Sequence, residues 1–263
     1  MAGPQRLDVS LYERGLAPSR EKARGLIMAG EVTVNGQMVD KPGARVLSTD
    51  TLEVKARPRF VSRGGDKLEA ALAAFGVDVT AQICADVGAS TGGFTDCLLQ
   101  HGAQRVYAID VGYGQLDYRL RQDPRVKVME RTNARYVKDL PEPVSFVAID
   151  ASFISLRLLL PVIAGWLEPT ADVIALIKPQ FEAGREQVGK GGVVRDSTVH
   201  RQVLDGTLGF ASQTGYAIGG LIASPLRGPA GNIEFLARLV WGRQLAEDVP
   251  SVEMLINSVL RRR

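Results

Sequence analysis

Lys178 stands where the apolar run DVIALIK meets Pro179. The residue ahead of a proline is pushed out of helical geometry into extended geometry, so Lys178 ends a strand. Burying an ammonium is costly unless it has a partner or a task. A second apolar run, VSFVAID, stops in the same way on Asp150. A lysine normally titrates at about 10.4. Burial and a neighbouring ammonium both lower that value, towards the range where an amine can take a proton. Charged side chains at the ends of buried strands therefore ask either for structural salt bridges or for acid–base chemistry.

The elements that must position these residues form an alternating series. Strand-like runs read ICADVGA, VYAID, VKVME, VSFVAID and DVIALIK, followed by YAIGGLIAS and NIEFLARLV. Between them lie helix-like stretches: DKLEAALAAFG ending at Gly76, FTDCLLQHG, FISLRLLLPVIAGWL, and a longer one over 197–214. Such alternation predicts an α/β fold with a doubly wound sheet, whose ligands sit at the carboxyl ends of the strands. The first strand runs into DVGASTGGF, residues 86–94. Glycine there lets the backbone approach a ligand closely. The dinucleotide order G-x-G-x-x-G is absent, and so is a Walker lysine. The second strand ends in Asp110, an acid placed for ribose hydroxyls. Asn133 follows the third strand, either as a turn residue or as a polar group at an adenine edge.

The front of the chain reads differently. Asp8 is placed to cap a short helix, with Leu7 and Tyr12 spaced as a hydrophobic staple and Gly15 as its stop. Ser19 can cap a second helix with Ala23, Leu26 and Ile27 on its apolar side. Asn35-Gly36 within VTVNGQMV is a hairpin signal. Residues 1–60 hold ten Lys/Arg against seven Asp/Glu, and residues 61–260 are net negative. Arg20 and Arg24 lie one helical turn apart, with Lys22 and Lys41 nearby. Basic residues on a helix beside a small sheet suit the phosphate backbone of structured RNA. A solvated charged helix is the other reading of the same residues.

The words RLDVSLYERGLAPSREKA, GLIMAGEVTVNG, KPG and D-x-L-x-V resemble the S4 RNA-binding domain. In the larger part, DVGASTGGF followed by Asp110 resembles the donor loop of S-adenosylmethionine methyltransferases. Lys67, Asp150, Lys178 and Glu234 match the K-D-K-E tetrad of FtsJ-like ribose 2′-O-methyltransferases. SRGGDKL, DVGASTGGFTD, DVGYGQL, ERTNAR, DASFIS, LIKPQFE, GKGGVV and SPLRGPAGNIE are similar to the TlyA family of rRNA 2′-O-methyltransferases. The resemblance covers almost the whole chain.

It implies a Rossmann-like class I methyltransferase with a seven-stranded doubly wound sheet, preceded by a small α+β S4 domain. The S4 domain is expected over 1–54, a basic linker over 55–60 and the methyltransferase domain over 61–263. The last strand is expected to run antiparallel, which brings Glu234 at its start to the strand edge that holds Asp150 and Lys178. The donor site is expected at Gly88, Ala89, Ser90, Thr91, Gly92, Asp110 and Asn133, with Asp150 also holding the methionine amine. Lys178 is the expected general base, with Lys67, Asp150 and Glu234 around it. The expected RNA contacts are Arg6, Arg20, Lys22, Arg24, Lys41 and Arg63. The implied target is a cytidine in 16S ribosomal RNA, 23S ribosomal RNA or both, as ribosomal RNA or in ribosomal subunits. The helix-like PSVEMLINSVLRRR tail resembles the longer TlyA form, which modifies both subunits.

Other classes fit less well. A pseudouridine synthase with an S4 domain has no use for a methyl-donor loop. A non-catalytic RNA-binding protein has no use for the tetrad. A pore-forming haemolysin needs a spanning segment, and the longest apolar run, LLLPVIAGWL, is about half the roughly 20 residues a membrane helix requires. Cys84 and Cys97 are the only cysteines, and no C-x-x-C or H-E-x-x-H spacing occurs. Two buried thiols in a reducing cytoplasm are expected, with no metal, no membrane and no obligate protein partner.

Overall fold

The computed structural model describes residues 3–55, 58–246 and 249–261. The chain divides into two compact units, Met1–Pro58 and Arg59–Arg263. Of the expected linker, residues 56–57 lie outside the described residues, as do Arg262 and Arg263 of the basic tail. No helix among the described residues is long and apolar enough to cross a membrane.

The first unit consists of β1 (Gln5–Arg6), α1 (Leu7–Glu13), α2 (Arg20–Met28), β2 (Val32–Val34), β3 (Gln37–Met38), β4 (Arg45–Val46) and β5 (Leu52–Val54). Strand β1 pairs with β4, and β3-β2-β5 form a three-stranded sheet. The Ser19 hydroxyl caps α2 by accepting from the Lys22 N–H at 3.1 Å, and Ala23, Leu26 and Ile27 are buried beneath it. Asn35 and Gly36 both have positive φ, 50° and 77°, as a two-residue type I′ hairpin requires. The start of α1 differs from expectation. The cap position is Arg6, which makes no side-chain cap, and Asp8 lies inside the first turn. Its buried carboxylate accepts from Arg6 Nε at 2.9 Å and Arg20 Nε at 3.1 Å. Two guanidiniums thus hold a side chain that otherwise fits a cap. Tyr12 is exposed and forms no staple.

The second unit begins at Arg59, and Phe60 follows. The sequence reading places it in a linker, yet it is buried in the core. Then follow α3 (Gly64–Phe75), β6 (Ile83–Val87), α4 (Gly93–Gln100), β7 (Arg105–Ile109), α5 (Tyr118–Gln122), β8 (Val126–Met129), β9 (Val144–Ile149), α6 (Leu156–Ala164) and β10 (Leu167–Ile177). The one-turn α7 (Pro179–Glu182), α8 (Ser197–Gln213), β11 (Ala217–Ala223), β12 (Phe235–Trp241) and α9 (Val252–Arg261) complete it. The sheet order is β11-β12-β10-β9-β6-β7-β8. Only β12 runs antiparallel to its neighbours, β10 and β11. One face packs against α6, α8 and α9 through residues such as Leu160, Leu204 and Ile256. The other packs against α3 and α4 through Leu68, Cys97 and Leu98. This is the seven-stranded, doubly wound methyltransferase-type sheet that the alternation and the family resemblance predict.

Strand β6 lies between β7 and β9, so the winding reverses there and a crevice opens beyond the carboxyl ends of β6 and β9. Helix α3 brings Lys67 to that crevice from its first turn, and its approach depends on Gly65. A Cβ at this position would lie 2.2 Å from the Phe60 ring. Gly65→Ala should therefore lower stability by about 1–3 kcal/mol, the usual cost of overpacking. Thermal unfolding of the purified variant checks this, and an unchanged Tm would show that Phe60 yields freely.

Candidate active site

The structure brings the four charged residues together as two ion pairs, with Lys67, Lys178 and Glu234 buried and Asp150 partly exposed. Lys67 Nζ donates to Glu234 Oε2 at 2.6 Å, with Glu234 almost fully buried. Lys178 Nζ lies 2.7 Å from Asp150 Oδ1 and also donates to the Asp150 carbonyl at 3.3 Å and the Ser152 hydroxyl at 2.8 Å. The positions follow from the topology. Asp150 and Lys178 directly follow the parallel strands β9 and β10. Glu234 directly precedes the antiparallel β12, so its strand start lies at their end of the sheet. Burial takes both lysines out of water, and each is matched by a carboxylate.

The glycine turn after β6 packs against the same residues. Gly88 has φ of 89°, and a Cβ there would lie 2.8 Å from the Asp150 carbonyl oxygen. No side chain fits between the turn and the end of β9. Ser90, at φ 48°, donates its N–H to Asp110 Oδ2 at 2.8 Å, while Gly112 N–H donates to Oδ1 at 2.7 Å. Each Asp110 oxygen keeps a lone pair for a further donor. A cavity of about 620 Å³ is lined by Gly88, Ser90, Asp110, Asn133, Asp150 and Ser152, among others. A smaller one of about 230 Å³ is lined by Arg63, Lys67, Ala89, Thr91 and Arg227, and it shares Gly88, Ser90 and Asp150 with the first. Asp150 thus stands between two cavities. Gly92 lines neither. A Cβ there would meet Leu120 at 2.3 Å, so this glycine makes room for the packing of Leu116 and Leu120.

A model of the FtsJ-like methyltransferase family matches residues 60–240, and the S4 domain model matches 5–52. The chain is 45% identical to a Mycobacterium tuberculosis protein named 16S/23S rRNA (cytidine-2′-O)-methyltransferase TlyA, over 99% of this chain and 98% of that one. It is 54% identical to YqxC of Bacillus subtilis, over 95% and 92%. A solved structure from Streptococcus thermophilus, 46% identical, superposes with a TM-score of 0.73 over 99% of this chain and 97% of that one. The chain belongs to the TlyA family of FtsJ-like methyltransferases.

S-adenosylmethionine is the methyl donor of this methyltransferase. The larger cavity has the Gly88–Ser90 turn on one wall and the acid after β7 on another. Asn133 is both a turn residue and a cavity residue. Its Oδ1 accepts from the Arg135 N–H at 3.0 Å, and it lines the larger cavity. Of the basic residues, Lys22, Arg24 and Lys41 are exposed on the S4 domain, whereas Arg6 and Arg20 are held by Asp8. Arg63 is exposed at the head of α3.

The sequence reading passed over Ser152 and Asn232. Ser152 lies two residues past the strand-ending Asp150, a placement that could have flagged its hydroxyl. The buried Asn232 ties the GKGGVV segment to the loop before β12, accepting from Val194 N–H and donating to the Gly192 carbonyl. Cys84 and Cys97 are free, buried thiols, and burial pushes both of their pKa values up. Glu69, Cys97 and His101 place potential ligand atoms within 4.8 Å of one another. The Arg59 guanidinium already lies 2.8 Å from the Glu69 carboxylate.

Asp86, in the strand that leads into the glycine turn, is fully buried. Its Oδ2 accepts from both the N–H and the hydroxyl of Thr95, while Oδ1 has no partner among the described residues. Burial pushes its carboxyl up to about 7, against the Thr95 hydrogen bonds, and nearby Asp150 and Asp110 push the same way. A carboxyl whose pKa rises on folding takes up protons on folding. Its stabilising contribution is complete below the unfolded value of 3.8 and is lost as pH rises through about 7. Wild-type Tm should therefore fall relative to Asp86→Asn between pH 4.5 and 8, by the equivalent of up to a few kcal/mol. A difference that does not change with pH would show that Asp86 titrates alike in the folded and unfolded chains.

Proposed function

We propose that this methyltransferase transfers a methyl group to the ribose 2′-hydroxyl of cytidines in ribosomal RNA, and that Lys178 takes the hydroxyl proton. The observation that carries this reading is the two buried lysines, each paired with a carboxylate, at the crevice beside the glycine turn. Burying two such pairs away from a site is poorly rewarded compared with apolar packing. Here they line or adjoin two cavities that meet at Asp150. The activity in the name of the M. tuberculosis relative, which this chain matches over 98% of its length, supports the same bond.

When bound, S-adenosylmethionine supplies an electrophilic methyl carbon. The turn over 88–91 would hold it, with Asp110 to accept from its ribose hydroxyls, Asn133 to meet the adenine edge and Asp150 to accept from its amine. A ribose hydroxyl is a poor acid, so a base must take its proton while the oxygen forms its bond to carbon and the carbon–sulfur bond breaks. Lys178 Nζ is that base, and the Asp150 carboxylate neutralises the ammonium that results. Ser152 is the one partner of Nζ that carries its own proton. Its hydroxyl can turn from acceptor to donor when the amine is neutral, or yield its place to the substrate hydroxyl. Lys67, held by Glu234, lines the smaller cavity and orients the acceptor ribose in line with the methyl carbon.

The S4 domain supplies RNA affinity through Lys22, Arg24 and Lys41, with Arg6 and Arg20 contributing whatever field Asp8 leaves, and Arg63 supplies a contact beside the site. Both 16S and 23S RNA are targets. The relative named for both matches this chain over 99% of its length, which includes α9 with its buried Leu255, Ile256 and Val259.

Lys178→Ala should keep donor binding and lose about 10²–10⁴-fold in turnover, the usual worth of a general base. Lys178→Arg should fail too, because guanidinium keeps its proton. A substrate carrying 2′-deoxycytidine at the target should bind and accept no methyl group. Methyl transfer to that substrate would show that the acceptor is a base atom. Asp110→Ala should weaken donor binding in calorimetry, and an unchanged affinity would remove Asp110 from the donor site. Arg24→Glu leaves the Asp8 cluster intact, so it should weaken rRNA binding and flatten its salt dependence without changing Tm.

A further inference from the structure

Glu182 ends the one-turn helix that follows Lys178, and its carboxylate is turned inward. Oε2 accepts from the Ser155 hydroxyl at 2.6 Å and Oε1 from the Leu156 N–H at 2.7 Å. Ser155 is the cap of α6, since its oxygen also accepts from the Arg157 N–H at 3.2 Å. The carboxylate thus lies against the N-terminal turn of α6, where free backbone N–H groups and the helix dipole favour negative charge. Burial pushes its pKa up, and the Ser155 and Leu156 hydrogen bonds oppose that rise.

The arrangement becomes informative when set beside Lys178. The segment over 150–156 leaves β9 and enters α6. The segment over 178–182 leaves the neighbouring strand β10. Lys178 holds the first of these at its start, through the carboxylate and carbonyl of Asp150 and the hydroxyl of Ser152. Glu182 holds it at its end, through Ser155 and Leu156. Between the two points the loop carries Phe153 at φ of 62°, a strained value for an aromatic residue, with its ring 5.0 Å from that of Phe181. A loop in that conformation persists only if its surroundings hold it. Cutting the far attachment lets the loop relax, and the acceptors around Lys178 Nζ move with it.

We propose that Glu182 is a positioning residue for methyl transfer: it anchors the loop over 150–156 to the chain that carries Lys178, and so keeps Asp150 and Ser152 in register with the Lys178 amine. This rests on the role given to Lys178 above. Glu182 touches neither donor nor acceptor. Its effect on turnover runs through Lys178, and because the loop over 150–155 also lines the larger cavity, the rate is read at saturating donor.

The test compares Glu182→Ala, Glu182→Gln and wild type in two measurements on the full chain. The first is trace acetylation of lysines, read peptide by peptide in the mass spectrometer, which reports the surroundings of Lys178 without reference to catalysis. The second is single-turnover methyl transfer to ribosomal subunits, together with donor affinity. Glu182→Ala should raise acetylation of Lys178 severalfold and leave Lys67 unchanged. It should also lower the single-turnover rate at saturating donor by ten- to a hundredfold, as misplacement by about an ångström does. Glu182→Gln should stay close to wild type in both, because its carbonyl still accepts from Leu156 and the Ser155 hydroxyl can turn to accept from the amide. Wild-type acetylation of Lys178 in Glu182→Ala, or equal damage in the glutamine variant, would overturn the proposal. Raised acetylation with an undiminished rate would leave the anchoring in place and overturn the role of Lys178 in the reaction.

Discussion

The ammonium of Lys178 has been taken almost entirely out of water, and most of the site follows from how it is matched. Its donors reach Asp150 Oδ1, the Asp150 carbonyl and Ser152 Oγ, all within three residues of the next strand. That arrangement requires β9 and β10 to be parallel neighbours ending at the same level, which the register from Val173–Val147 to Ala175–Ile149 provides. It requires the loop after β9 to stay close, which the Gly88 turn enforces from one side by leaving no room for a Cβ. It also requires a second carboxylate for the second lysine. The antiparallel β12 delivers Glu234 from the far neighbour of β10. A seventh strand of the usual parallel sense would begin at the opposite edge, and Lys67 would be buried without a partner, at a cost of several kcal/mol.

Backbone conformation and electrostatics reinforce one another at the glycine turn. Gly88 and Ser90 both sit at positive φ, and the N–H of Ser90 thereby points at Asp110. The acid after β7 stabilises the turn and still offers lone pairs to a ligand. Its neighbours Asp86 and Asp150 make this a crowded set of carboxyls. The mutual repulsion is relieved where the protein can most easily relieve it, on the fully buried Asp86, whose carboxyl burial already drives towards the neutral form. Asp150 has an ammonium beside it and Asp110 has two N–H donors. Asp86 therefore carries the cost of burial, while Asp110 and Asp150 face the cavity.

Much of this was legible in the sequence because it depends on local pattern. Strand ends at Asp110, Asp150 and Lys178 could be read from apolar runs, and the hairpin at Asn35-Gly36 and the Ser19 cap from residue type alone. The place of Glu234 could not, since a strand's direction is not written in its composition; only the family resemblance supplied it. Asp8 was misread because a cap signal is local, while the guanidinium of Arg20 lies 12 residues away. Phe60 was misread because a basic, proline-containing stretch looks like linker, and nothing in it announces that Gly65 has left space for a ring. Ser152, Asn232 and Glu182 matter through partners 26 to 40 residues distant, a separation at which sequence gives no pairing rule.

The two units divide the physical work by charge. Long-range attraction to a polyanion is served by exposed cations, and on the S4 domain Lys22, Arg24 and Lys41 are exposed and unpaired with Asp8, while Arg6 and Arg20 pair with its buried carboxylate from the surface. The methyltransferase domain uses lysine in the opposite way. Lys67 and Lys178 are buried and paired, so they contribute little to the external field and much to the local one, where a lower effective dielectric strengthens each interaction. Exchanging the two uses would defeat both. An exposed Lys178 would lose its contacts with Asp150 and Ser152, and a buried Arg24 would be an unmatched charge in a small core. Exposure leaves a cation free to act through the external field, and burial beside a matched carboxylate fixes it in the crevice.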